Sequence, residues 1–197
     1  MRVLFNDGWE FGKTEADESA KPVKYKPVDI PHDWLIYQTN DLYETGFGHY
    51  RKEYDFGDVS GRSVRLYFEG VYMDCTVYIN GEAVCDNKYG YSSFEADLTG
   101  RVHDGVNTVE VKVRHRSPNS RWYSGAGIFR DVWLINTPKA HILTNGVYFH
   151  TEPAGGGFKC HVSADMVCEK GMSVRFMLRS GRRFLYLKDM RAAEHVA

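Results

Sequence analysis

The sequence predicts an all-β protein built as a β-sandwich or jelly roll, and three observations carry that expectation. Aromatic residues make up 14% of the chain and glycines number 19, a balance that favours strands and turns over helices. Residues 73–87, MDCTVYINGEAVCDN, place Asn80-Gly81 between two strand-like arms, the strongest short-range hairpin signal. Residues 106–115, VNTVEVKVRH, set Val109, Val111 and Val113 against polar neighbours, the period of a half-buried antiparallel strand.

The remaining elements follow in order. Residues 1–12 read as an edge strand, a turn at Asn6-Asp7-Gly8 and a short second strand. Residues 13–27 are charged, carry proline and show no period, so they read as a loop. In VDIPHDWLIYQ, residues 28–38, Pro31 bars a regular central strand and bends the chain; the turn presents His32, Asp33 and Trp34 together. Residues 46–56 and 63–71 are further strands, the second with Val64, Leu66 and Phe68 on one face. An aromatic segment, YGYSSFEADLTGRV, turns at Thr99-Gly100. The count reaches about eight to ten short strands by residue 138, with no convincing helix, which is the signature of a sandwich or jelly roll.

Asn136-Thr137-Pro138 reads as a joint, giving a first domain over 1–138 and a second over 139–197. HILTNGVYFHTE, GGGFKCHVSADMV and MSVRFMLRS are three more strands. A complete second sandwich needs about seven strands and about a hundred residues. The tail, GRRFLYLKDMRAAEHVA, is basic and then amphipathic and does not read as strand. A half sandwich leaves an open edge and an uncovered apolar face. The expectation is therefore an incomplete domain with an irregular tail, and either a homodimer or disorder beyond about residue 180.

Net charge is −1, so there is no electrostatic footprint for nucleic acid or a membrane surface. No run is apolar enough for a transmembrane helix, and MRVLFNDGWEFGK lacks the apolar region of a signal peptide; the expectation is a cytoplasmic protein. Cys75, Cys85, Cys160 and Cys168 lack zinc-like spacing. A two-residue turn would pair Ile79 with Glu82 and Cys75 with Asp86, pointing Cys75 and Cys85 to opposite faces and disfavouring a disulfide. Trp34 and Trp133 read as core. His49, His115 and His161 read as surface, and no cluster of histidine, cysteine and aspartate has metal-ligand spacing.

The stretch that stands out is Ser117–Leu134, SPNSRWYSGAGIFRDVWL. Its front half is a glycine-jointed loop carrying Arg121, Trp122 and Tyr123; its end, IFRDVWLI, reads as a strand entering a core. Flat aromatic faces beside hydrogen-bonding charges suit a sugar ring, whose C–H face packs on the aromatic while its hydroxyls bond to Arg or Asp. On the residues alone, Asp131 reads first as a turn cap or a partner of Arg130 or Arg121, Trp122 and Tyr123 equally as packing at a seam, and His32 first as a turn histidine.

IPHDW at 30–34, G-x-G-x-Y-R-K at 46–52, F-E-G-V at 68–71, V-x-I-N-G at 77–81 and N-S-R-W-Y-S-G-x-G-I-F-R-D-V-W-L at 119–134 together resemble the N-terminal region of glycoside hydrolase family 2, bacterial β-galactosidases in particular. The resemblance covers residues 1 to about 180. It implies a jelly-roll, galactose-binding-like sandwich, then a partial immunoglobulin-like sandwich, in an enzyme whose two catalytic glutamates sit in a TIM barrel beyond this stretch. Retaining hydrolysis needs two carboxyl groups roughly 5 Å apart, so no catalytic residue is expected within residues 1–197 and the isolated chain is expected to be inactive. The resemblance further implies that Asp131 contacts substrate, with His32 and Asp33 on a second loop toward the pocket and Arg121 and Trp122 at the loop tip. It implies no cofactor beyond a sodium ion beside Asp131. The partners it implies are a β-galactoside-like carbohydrate and the barrel. A stand-alone carbohydrate-binding module and a purely structural interaction domain are the alternatives.

Overall fold

The computed structural model describes residues 1–14, 24–37, 44–119 and 125–196, and no helix occurs among them. Among these described residues fifteen strands follow one another: β1 (Arg2–Leu4), β2 (Trp9–Thr14), β3 (Lys26–Val28), β4 (Gly46–Asp55), β5 (Arg62–Phe68), β6 (Asp74–Ile79), β7 (Glu82–Asn87), β8 (Phe94–Asp97), β9 (Val106–His115), β10 (Val132–Pro138), β11 (His141–Ala154), β12 (Gly157–Val167), β13 (Ser173–Ser180), β14 (Arg183–Arg191) and β15 (His195–Val196). The chain divides into two compact units, Met1–Asn136 and Thr137–Ala197.

The first unit is a two-sheet sandwich. One sheet has the order β1-β10-β5-β8, the other β3-β2-β4-β9-β6-β7. Both feed one buried cluster: Val64, Leu66, Phe68, Ala96 and Leu134 from the first sheet, Trp9, Tyr50, Val77, Ile79, Val109, Val111 and Val113 from the second. The period-two pattern produces this directly, because each strand sends alternate residues to the same face. At the hairpin of β6 and β7, Asn80 and Gly81 both take positive φ, 51° and 83°, as a tight primed turn requires.

Three expectations are corrected here. A bulge at Val84 sets Val77 opposite Cys85 and Cys75 opposite Asn87, so Cys75 and Cys85 share a face instead of pointing apart. Both remain free thiols, and burial, then nearby Cys85, pushes the Cys75 thiol up to about 12. His115 and His49 are buried rather than exposed. His115 has the parity of Val109, Val111 and Val113 on β9, and His49 Nε2 lies 3.1 Å from Thr14 Oγ1. Trp34 is buried as expected, whereas Trp133 lies half-buried on the outer face of β10; its indole donates to Glu69 Oε1 at 2.8 Å and Arg2 covers its ring at 4.4 Å.

In the second unit β11 pairs with β12, which pairs with β15, and β13 pairs with β14, all antiparallel. The expectation of an irregular or disordered tail is overturned: residues 183–191 are a strand, and His195–Val196 close on Ala164 and Asp165. The Phe184–Leu187 run does not alternate, which hid it, but β13 offers its backbone a ladder from Ser173–Arg191 to Ser180–Arg183, broken only by a bulge at Leu185. The buried cluster is small: Ala164, Met166 and Val196, with Cys168, Val174, Phe176 and Ala192 packed against it.

Candidate functional site

The segment leading into β10 is built to hold its place. Gly127 pairs with Tyr72 in both directions, N–H to O at 2.8 and 2.9 Å. On the other side, His32 N donates to Ile128 O at 2.8 Å and Trp34 N to Ala126 O at 3.1 Å. The run 126–128 is thus bonded along both edges and buried throughout. Only glycine fits at 127: its φ is +124°, and a Cβ there would come within 2.3 Å of Tyr50 Oη and 2.5 Å of His32 O.

Asp33 secures the start of this run. Its Oδ1 accepts from Leu35 N at 2.9 Å, closing its own turn, and from Ala126 N at 3.0 Å. His32 lies in the interior, with Nδ1 2.8 Å from Tyr50 Oη and its ring against Phe11. Burial pushes the His32 imidazole below its ordinary pKa, the Asp33 charge opposing that only in part. Burial also pushes the Tyr50 phenol well above its ordinary range. At neutral pH this pair is therefore an uncharged, hydrogen-bonded brace under the loop stem.

Asp131 sits at the other end of the run, half-buried. Buried Asn6 clamps it: Asn6 Nδ2 donates to Asp131 Oδ1 at 2.9 Å while Asn6 Oδ1 accepts from Val132 N at 2.9 Å. Asp131 O accepts from Glu69 N at 3.0 Å. Arg130 donates instead to Glu69 O and Tyr91 O, each at 3.3 Å, and lies over Phe129. The described groups bonded to Asp131, the Asn6 side-chain amide and the Glu69 backbone N–H, are both donors. Arg121 and Trp122 lie outside the described residues.

Sequence reasoning passed over an aromatic rim beside this run. Tyr91 contacts Tyr72 at 5.1 Å, Tyr89 at 5.9 Å and Phe129 at 6.4 Å between centroids, and Tyr89 and Tyr91 are 64% and 46% exposed. Tyr72 Oη donates to Asn119 Oδ1 at 3.2 Å, and Asn119 Nδ2 lies 3.0 Å from His115 Nε2. The signal available was the Y-G-Y spacing at 89–91, whose glycine lets Tyr72 approach: a Cβ on Gly90 would lie 2.3 Å from that ring.

A family model described as glycosyl hydrolases family 2, sugar binding domain, matches residues 10–138. The chain is 37% identical over 167 residues to a β-galactosidase of Bacteroides ovatus, covering 76% of this chain and 20% of that protein. A solved β-glycosidase from Bacteroides vulgatus matches with a TM-score of 0.82 and 26% identity, over 96% of this chain and 27% of that one. A Bacteroides uniformis β-glucuronidase shares the fold, with a TM-score of 0.79 at 22% identity, over 100% of this chain and 26% of that one. The chain thus spans about a fifth of the length of the B. ovatus relative.

Proposed function

The chain belongs to glycosyl hydrolase family 2 through its sugar-binding domain, and from that premise we propose that its first unit forms one wall of a β-glycoside pocket. Asp131 accepts a hydrogen bond from a ring hydroxyl of the sugar, and Arg121 and Trp122 approach the same sugar from the loop tip. Asp33 and His32 serve as positioning residues under the loop. The carboxylates that break the glycosidic bond come from a catalytic barrel, with this wall as its complement. A galactoside is the sugar proposed, following the B. ovatus relative; a second copy of the chain over the second unit is the proposed homodimer.

The observation that carries this reading is the clamp on Asp131. One oxygen is fixed by a buried amide, and the residue sits at the end of a run bonded along both edges. A carboxylate held this way has its orientation settled before the sugar arrives, which is the condition for a strong acceptor.

The test is complementation. The chain is mixed with a fragment of the B. ovatus β-galactosidase that keeps its barrel and lacks its own first domain, and hydrolysis of chromogenic galactosides and glucuronides is followed. The expected result is activity that requires the mixture and favours the galactoside. Asp131→Ala is expected to lower kcat/KM about tenfold or more, the value of a hydrogen bond to a charged group. Full activity with Asp131→Ala would overturn the assignment. Saturable heat from galactose or lactose at millimolar concentration with this chain alone would identify a stand-alone carbohydrate-binding module instead.

A further inference from the structure

A second cluster lies wholly within the second unit, on one face of the β11–β12 pair. His150 and Glu152 are two residues apart on β11, so their side chains leave the same face. His161 is the register partner of His150 on β12 and leaves that face too. The two imidazoles stack, with centroids 4.4 Å apart and planes 3° from parallel. Glu152 reaches both: Oε1 is 3.6 Å from His150 Nε2 and Oε2 is 3.5 Å from His161 Nε2. One ligand atom from each residue falls within 4.8 Å of the other two.

We propose that His150, Glu152 and His161 form a binding site for a divalent transition-metal ion of the zinc class. Two imidazole nitrogens and one carboxylate oxygen are the donor set such an ion takes, leaving a fourth position for water. The competing account, a histidine pair held by Glu152 alone, explains the contacts less well. Separations of 3.5–3.6 Å are too long for good hydrogen bonds. His150 Nδ1 and His161 Nε2 are shielded from solvent with no hydrogen-bond partner. A shielded, unpartnered polar nitrogen is costly, and a metal ion beside Glu152 removes that cost at His161 Nε2 by taking its lone pair.

The geometry needs a small adjustment. Bonds of about 2.1 Å in a tetrahedron put the donors about 3.4 Å apart, so the widest pair closes by at most about 1.4 Å from its 4.8 Å limit. Parallel rings cannot both aim a lone pair at one point. Rotation of each imidazole about its Cβ–Cγ bond, a broad torsional well, makes the rings converge. The side chains are 39%, 59% and 34% exposed, which gives the ion a route in. An ion held there would tie β11 to β12 beside the turn that joins them.

The test is calorimetric titration of zinc chloride into the reduced 197-residue chain after chelator treatment. One ion per chain is expected, with affinity weakened at least tenfold by His161→Gln and by Glu152→Gln. His103→Gln, altering an exposed histidine of the first unit, should leave binding unchanged. Far-UV circular dichroism verifies that each variant keeps its strands. Cobalt(II) supplies an independent readout: visible bands of a nitrogen and oxygen site, lost in His150→Gln. Absence of saturable binding would overturn the proposal. So would a stoichiometry insensitive to these substitutions, or an ultraviolet thiolate-to-cobalt band assigning the metal to Cys160 on the opposite face.

Discussion

The two units are made of the same kind of strand yet reach different ends. In the first, two sheets face each other and the inward residues of β2, β4, β5, β6, β9 and β10 vanish into one cluster. In the second, the strands also pair along their backbones, but Phe149, Phe158, Met177 and Leu187 are all about half or more exposed. Hydrogen-bonded ladders therefore do not by themselves make a core; a core needs a second apolar layer across the first. The proposed sugar wall belongs to the unit that has one, where the burial of Ala126–Ile128 fixes what Asp131 can do.

The four tryptophans, Trp9, Trp34, Trp122 and Trp133, all lie in the first unit, so tryptophan fluorescence follows that unit alone. Leu66→Ala empties a fully buried position and should cost about 3–4 kcal/mol in urea unfolding read by tryptophan emission. A loss below about 1 kcal/mol would mean that the sandwich relaxes around the cavity and the contrast between the units is weaker than it looks.

A pH titration of stability sharpens the contrast next. Burial, then the positive charge of Lys112, depresses the His49 imidazole from 6.5 to about 4. The unfolded chain takes up a proton below pH 6.5 that the folded chain refuses until about pH 4. Stability therefore falls as pH drops through that window and is untouched by this group above it. The contribution is on the order of 3 kcal/mol. It should appear as the difference between the pH profiles of wild type and His49→Gln, which lacks it; identical pH profiles for the two would contradict the assignment.

Gly127→Ala forces a side chain against Tyr50 and His32 at a left-handed φ and is expected to cost about 2 kcal/mol or more in the same unfolding assay. Hydrogen exchange at His32 and Trp34 should accelerate with it, since their amides bond to this run. The smallest effect belongs to the second unit. Phe158→Ala removes a ring that is 72% exposed and should move thermal stability, read by circular dichroism, by no more than about 0.5 kcal/mol.

Much of the sandwich was legible because its strands obey local rules. Asn80-Gly81 announces its own turn, and the valines of β9 announce their face. The features that escaped depend on neighbours distant in sequence. The bulge at Val84 shifts the pairing of β6 and β7 by one residue, and no local pattern marks it. His115 could have been placed inside by extending the valine parity two residues further, but a histidine invites a surface reading. The Phe184–Leu187 run reads as strand only once β13 is beside it. At the site, Asp131 stood out through a motif, whereas its clamp could not: Asn6 is 125 residues away and shows only as part of a turn. Asp33 and His32 were visible as a pair, but their bonds to Ala126 and Tyr50 exist only in the folded chain.

The most direct test of the role given to Asp131 is a substrate cycle in the complemented enzyme. kcat/KM is measured for wild type and Asp131→Ala on a galactoside and on its singly deoxygenated analogues. If the carboxylate accepts one ring hydroxyl, the loss of about tenfold or more seen with the parent sugar should vanish for the one analogue lacking that hydroxyl and persist for the rest. An equal loss on every analogue would contradict the assignment, leaving Asp131 as a brace for its own domain.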